Sequence, residues 1–295
     1  MKKYFLIAVL CLIAQQLIFA QKQKVENSLL WKVSGNTLQK PSYLFGTYHF
    51  LSSGFIDTMQ AVKKAYAASD AIVGELIIDS TIQRPMMEAS LLQGTTLKKL
   101  LPDTLYNKTS SWFKQEAGFD LIRLDQLNPI TVMTAALAIT QQKYFPNKPG
   151  EVQLDTYFQD QGKKDGKRVL GLETIEVQIN ALFKQLTLKR QVEMLNETFS
   201  NKEGFRSSIA AMNDAYIKND LEALEQLMYV RSYKPEEMKP LLFDRNNNWL
   251  KQLPQIMKEQ PSFIAVGALH LVGENGLVTQ LRKMGYTVTP INLKN

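Results

Sequence analysis

The chain has 295 residues, of which 45% are hydrophobic and 21% charged. That balance excludes a disordered polar protein and leaves ample length for a buried core. The net charge of +7 is carried by scattered lysines, such as Lys163-Lys164 beside Asp165. No basic stripe interleaved with aromatics is present, so nucleic acid is not an expected partner.

Residues 1–20 follow the grammar of a secretory signal peptide. Met1-Lys2-Lys3 is basic, residues 4–14 are apolar, and Ala20 supplies a small residue before polar Gln21. Gln15-Gln16 cuts the apolar run short of the ~20 residues that a membrane span requires. Membrane contact is therefore expected only through this segment before cleavage, and the product is expected in the periplasm or outside the cell. Cleavage removes Lys2 and Lys3 and no acids, which lowers the charge from +7 to +5. It also removes Cys11, the one cysteine, so no disulfide or thiolate chemistry remains. Residues 21–295 read as one domain.

Leu29-Leu30-Trp31-Lys32-Val33 reads as a strand, Ser34-Gly35-Asn36 as a turn, and Tyr43-Leu44-Phe45-Gly46-Thr47 as the next strand. Asp57 can cap a helix reaching about residue 68. Ala71-Ile72-Val73-Gly74-Glu75-Leu76-Ile77 is a short β-branched run, expected as a buried strand. Residues 81–248 are mainly helical in spacing, with helices expected over 104–117, 129–142, 151–161, 204–218 and 221–229. Pro129 suits a first helical turn. Arg168-Val169-Leu170-Gly171-Leu172-Glu173 interrupts this region as a strand. Thr174 can cap a long helix after it, and another is expected over 235–258, broken by Pro254. The end reads as a strand over 263–269, a helix over 276–284 stopped by Gly285, and a strand over 286–292. The fold class is α/β: a mixed central sheet built from both chain ends, with a large inserted helical region.

The chain has only two histidines, and both stand in the frame Gly-x-x-His: Gly46-Thr47-Tyr48-His49 and Gly267-Ala268-Leu269-His270. With 15 glycines in 295 residues, the coincidence has a chance of roughly one in four hundred. Both ends share the order strand, Gly-x-x-His, loop, helix, strand. That is consistent with a pseudo-repeat, although the spacings differ. A histidine just past a strand end stands in the mouth of an α/β sheet, where such folds bind ligands. Two such histidines suggest one shared site.

Glu75 is the third candidate, because a carboxylate inside an apolar run must be paired, ligated or functional. Two imidazoles and a carboxylate can hold a catalytic divalent metal such as Mn²⁺, Co²⁺ or Zn²⁺ at His49, Glu75 and His270. The same groups without metal could serve as base and orienter for water. Arg245, in Asp244-Arg245-Asn246-Asn247-Asn248, could meet developing oxyanion charge or simply line a polar helix face. Glu173 could support the site or act as a helix N-terminal acid. His-Glu-x-x-His, Gly-x-Ser-x-Gly and phosphate-loop motifs are absent.

Taken in order, these pieces resemble the TraB/GumN family. The resemblance runs through Leu30-Trp31-Lys32-Val33, Leu44-Phe45-Gly46-Thr47-Tyr48-His49, Gly74-Glu75, Gly171-Leu172-Glu173-Thr174, Asp244-Arg245-Asn246 and Val266-Gly267-Ala268-Leu269-His270-Leu271-Val272-Gly273-Glu274. It implies an α/β core with inserted helices. For Tiki-like members it implies a divalent-metal-dependent protease that uses the Gly-x-x-His motifs and a glutamate. The wider erythromycin-esterase-like group implies a histidine–glutamate hydrolytic pair. The site so implied is His49, Glu75, Arg245 and His270, with Asp244 where the family often has glutamate. The expected function is a secreted or periplasmic hydrolase acting on a peptide or a small ester or amide. The alternative to catalysis is a protein that binds a peptide or a haem-like ligand without turnover.

Overall fold

The computed structural model describes residues 27–230 and 233–293. The expected signal segment, residues 1–20, lies outside them. The apolar runs at the two chain ends, with the mid-chain run at Arg168, become six strands: β1 Leu30–Ser34, β2 Ser42–Thr47, β3 Ala71–Gly74, β4 Arg168–Gly171, β5 Ser262–Gly267 and β6 Thr287–Ile291. They form one sheet in the order β4-β3-β5-β2-β1-β6. Neighbours from β4 to β2 are parallel, while β1 is antiparallel to both β2 and β6. The sheet is thus mixed and drawn from both ends of the chain, as the sequence predicts. Interior strand β3 is buried at every residue, and β5 at all but its last. That explains their continuous apolar runs, since a parallel strand covered on both faces has no polar side.

The longer helices are α1 Gln60–Ala67, α2 Asp103–Ala117, α3 Pro129–Tyr144, α4 Leu154–Lys164, α5 Leu188–Ser200, α6 Lys202–Ile217 and α7 Leu221–Val230. The short helices α8 Asp244–Trp249 and α9 Leu277–Lys283 flank β5. Asn128 caps α3 through its side chain, and Pro129 takes the first helical position. Two large apolar cores and a small cluster around Met238 and Leu242 result among the described residues. Phe45, Phe158 and Phe263 pack around the sheet with ring centroids 4.8–5.9 Å apart. A separate core joins Trp112 and Phe113 of α2 to Val132 of α3 and Phe199 of α5. Helices α2, α3 and α5 therefore carry their own packing, whereas α4, α6 and α7 contribute to the sheet core. No helix among the described residues is long and apolar enough to cross a membrane.

Several elements differ from the sequence expectation. Asp57 does not cap α1, whose N-cap is Met59 with no side-chain cap bond, and the last strand before His270 ends at Gly267. The strand over residues 71–77 stops at Gly74, because the Gln159 side chain takes the backbone of Leu76 and Ile78 that a ladder would have used. The long helix after Thr174 is only Ile175–Ile179, widened into a π-helical stretch over Asn180–Lys184. The helix expected over 235–258 is broken into Pro235–Met238, a π-helical stretch Lys239–Phe243, α8, and Leu253–Glu259. Pro240 and Pro254 lack the N–H that a continuous ladder needs.

The close approach of β2 to the turn after β5 positions the site. Gly46 lies beside Val266 in the register. A Cβ at Gly46 would stand 2.9 Å from the Ala268 Cα and 3.0 Å from its Cβ. The Gly46 carbonyl also accepts from the buried Tyr216 hydroxyl at 2.6 Å. Gly46→Ala should therefore push the two strand ends apart and cost about 1–3 kcal/mol, the usual range for overpacking. Chemical denaturation would register this as a lower midpoint; an unchanged midpoint would show that the contact relaxes freely.

Candidate active site

β2 and β5 are adjacent and parallel, with Thr47 beside Gly267. His49 follows β2, and His270 ends the short turn Ala268–His270 after β5. Both histidines thus leave the same end of neighbouring strands. The connections from the two strands travel in opposite directions along the sheet, toward β3 and toward β6. That arrangement opens a crevice at the carboxyl ends of an α/β sheet.

Glu75 enters the crevice from the end of β3, and the three side chains meet over Gly267. A Cβ on that glycine would lie 3.2 Å from Glu75 Oε1, 3.6 Å from His270 Cδ2 and 3.8 Å from His49 Nε2. The absent side chain leaves a cradle that all three groups face. The Gly267 N–H donates to Glu75 Oε1 at 2.8 Å. His270 Nε2 lies 3.8 Å from the same oxygen. Glu75 is buried, so its carboxylate depends on partners within the protein.

Arg245 is the buried cation of the site. Its NH2 donates to Glu75 Oε2 at 2.5 Å and to Glu173 Oε1 at 2.7 Å, and its Nε to Glu173 Oε2 at 3.0 Å. Its NH1 donates to the Leu241 carbonyl at 3.0 Å and to His270 Nε2 at 3.2 Å. All five guanidinium N–H groups thus have acceptors. Trp249 Nε1 donates to Glu173 Oε2 at 3.1 Å, and the Trp249 ring packs on His270 with centroids 4.3 Å apart. Asp244, by contrast, pairs with exposed Lys239 at 2.7 Å.

Each histidine is anchored through Nδ1. His270 Nδ1 donates to Asn246 Oδ1 at 2.7 Å, while the Asn246 amide donates to the His270 and Asn275 carbonyls. His49 Nδ1 donates to Asp155 Oδ2 at 2.8 Å. In the neutral ring an oxygen acceptor on Nδ1 places the lone pair on Nε2, as in metal-bound imidazoles; in His270 that lone pair accepts from Arg245. His49, Glu75 and His270 are donor types that hold divalent cations. Among the described residues these side chains are not drawn into a preassembled group of three ligands, and Arg245 already engages two of them.

Asn246 stood inside the polar cluster of the sequence, but nothing marked it off from its neighbours. Asp155 gave no signal beyond that of an acid in the first turn of a helix. Both depend on contacts between residues far apart in the chain.

Residues 29–290 match the TraB/PrgY/gumN family, and the chain belongs to it. Metalloprotease TIKI2 of Danio rerio is 23% identical over 90% of this chain and 61% of its own length. Metalloprotease TIKI1 of Xenopus tropicalis is 24% identical over 91% of this chain and 62% of its own. A metalloprotease TIKI homolog of Nematostella vectensis is 24% identical over 90% of this chain and 67% of its own. The chain thus spans about three fifths of the length of the first two. No solved structure matches. The family is metalloprotease-like by the names of these relatives.

The electrostatics separate the two histidines. The charge of Asp155 and its hydrogen bond raise His49 to about 9 against the cost of desolvation. The His49 side chain is 59% exposed, so water screens part of that attraction. Burial lowers His270 to about 3. Burial raises the Glu75 carboxyl, but the charges of His270, Arg245 and His49 and the Gly267 N–H outweigh it and hold Glu75 at about 2. Of these, Arg245 is the cation present at every pH, because His270 is neutral near pH 7. Burial pushes Glu173 the other way, above its ordinary value.

In metal-free protein the two imidazoles should titrate on opposite sides of 6.5, His49 toward 9 and His270 toward 3. The stability His49 contributes is complete below 6.5 and is lost as pH rises through 9. That of His270 is complete above 6.5 and is lost as pH falls through 3. NMR titration reads both directly; coincident titration near 6.5 would contradict the geometry.

Proposed function

We propose that this protein is an exported hydrolase of peptide bonds that works with a divalent cation held by His49, His270 and Glu75. The observation that carries the reading is the convergence of these three side chains over Gly267. Its metalloprotease relatives support peptide bonds as the substrate class. Export rests on the signal-peptide grammar of residues 1–20. A bound divalent cation would polarise the scissile carbonyl and lower the pKa of a water.

The chain's own residues supply the rest. Asn246 keeps the proton of His270 on Nδ1, so Nε2 remains a donor of electrons. Trp249 covers one face of that ring and excludes water from it. Glu75, ionised near neutral pH, presents a carboxylate steadied by the Gly267 N–H and by Arg245. Arg245 can meet an oxyanion only by exchanging one of its present acceptors. Its contact with His270, at 3.2 Å, is the longest of the five and the one to exchange.

A second reading is favoured by that same guanidinium, which holds two of the three proposed ligands in place. In this reading Asp155 and His49 form a metal-free base pair, with His49 Nε2 accepting a proton from water as the ring loses its own proton toward pH 9.

Protein beginning at residue 21 should be incubated with peptide mixtures and Mn²⁺, Co²⁺ or Zn²⁺, and the products identified by mass spectrometry. Cleavage should be lost in excess chelator and restored by metal. His49→Ala and Glu75→Gln should each lower turnover by about 10²–10⁴-fold, the range for loss of an acid–base group. Full activity in chelator would select the metal-free reading. No cleavage under any condition would remove both.

A further inference from the structure

Helix α4 reaches two separate arms of the site from a single face. Asp155, in its first turn, uses both carboxylate oxygens outside its own helix. Oδ1 accepts from the Thr47 hydroxyl at 2.7 Å, and Oδ2 from His49 Nδ1 at 2.8 Å. One turn later, Gln159 accepts from the Ile78 N–H at 2.9 Å and donates to the Leu76 carbonyl at 2.8 Å. These two backbone groups flank the chain just after Glu75. Residues four apart on a helix are neighbours on one face, so Asp155 and Gln159 set the distance between the two arms. Phe158 locks the helix against Phe45 and Phe263 in the sheet core. Gly74 belongs to the same device, because a Cβ there would stand 2.6 Å from Gln159 Nε2.

We propose that Asp155 is the positioning residue of His49, and that α4 sets His49 against Glu75 by holding the loop of one and the strand exit of the other. This rests on the reading of the crevice as a hydrolytic site. His270 and Arg245 are held by residues of the crevice floor, whereas His49 stands on an exposed loop. Among the described residues, the Asp155 carboxylate is the side-chain partner of its ring. Without that contact the ring is free to turn about its side-chain bonds, and Nε2 leaves the cradle over Gly267. Asp155 then acts through His49 and touches no reacting atom. A carboxylate that served only the helix dipole would not bind Thr47 and His49 together. A contact that served only to dock the loop would be equivalent to the neighbouring one between Ser52 and Glu151.

The chain's two histidines make the test direct. Protein beginning at residue 21, labelled with ¹⁵N and carrying no histidine tag, shows two imidazoles, and long-range ¹H–¹⁵N spectra read the tautomer of each. Above pH 9, where both rings are neutral, His49 of the wild type should carry its proton on Nδ1, and the variants are compared at that same pH. Asp155→Ala should shift His49 toward a tautomer mixture and leave the His270 signals in place. Against the peptide mixture with Co²⁺ it should lower kcat by about 10–100-fold, as for loss of an orienting partner, with KM little changed. Asp155→Asn retains an acceptor for Nδ1, as Asn246 does for His270, and should recover the tautomer and part of the turnover. Glu151→Gln should change neither. Gln159→Met should shift the His270 signals through Glu75 and spare the His49 tautomer.

An unchanged His49 tautomer in Asp155→Ala would overturn the proposal. So would a loss in Glu151→Gln equal to that in Asp155→Ala, or unmoved His270 signals in a folded Gln159→Met. The tautomer decides the role of Asp155 even if the wild type cleaves no peptide, so the hydrolytic reading and this proposal fail separately.

Discussion

One buried guanidinium holds the crevice together. Arg245 joins the end of β3 through Glu75, the region after β4 through Glu173, the turn after β5 through His270, and the π-helical stretch before α8 through Leu241. Two carboxylates buried side by side repel each other and have lost their water, so neither is stable there without a cation between them. The guanidinium suits this better than an ammonium, because its planar fork serves Glu173 with two parallel hydrogen bonds and still reaches Glu75. The π-helical widening over Lys239–Phe243 sits directly before α8, where a π-turn re-aims the helix and leaves the Leu241 carbonyl to accept from Arg245.

The two arms of the site are built to different stiffness. His270 is buried, stacked on Trp249, hydrogen-bonded at both ring nitrogens and tied by its carbonyl to Asn246. His49 is exposed and depends on α4, an element of the inserted helical region. The crevice is therefore not a property of the sheet alone. The sheet brings two strand ends together, and the insertion finishes the geometry from above. Helix α4 can do so because Leu154 and Phe158 anchor it in the sheet core, apart from the second core around Trp112, Phe113 and Phe199.

Much of this was readable from residue order. Strands at both chain ends announce themselves as β-branched and aromatic runs bounded by turn residues, and the paired Gly-x-x-His frames place both histidines at strand ends. Glu75 stood out because a charge within an apolar run demands a partner. The errors were local. Residues 71–77 read as one strand because periodicity cannot show that Gln159 takes over the backbone after Gly74. The segment 235–258 read as a helix broken only at Pro254, because its spacing is helical, while a π-helical stretch at Pro240 and a second break before Leu253 divide it further.

Residue types and their spacing thus settled the α/β class, the two histidine arms and the need for a partner to Glu75, because these follow from side-chain periodicity and the cost of burying charge. Folding alone settled who the partners are. That Arg245 serves two carboxylates, that Asn246 and Asp155 pin the two rings, and that Gly267 leaves the cradle between them all depend on contacts spanning 24 to 192 residues of chain. No local pattern encodes such distances; they arise when packing brings separate strand ends and one helix face to the same crevice.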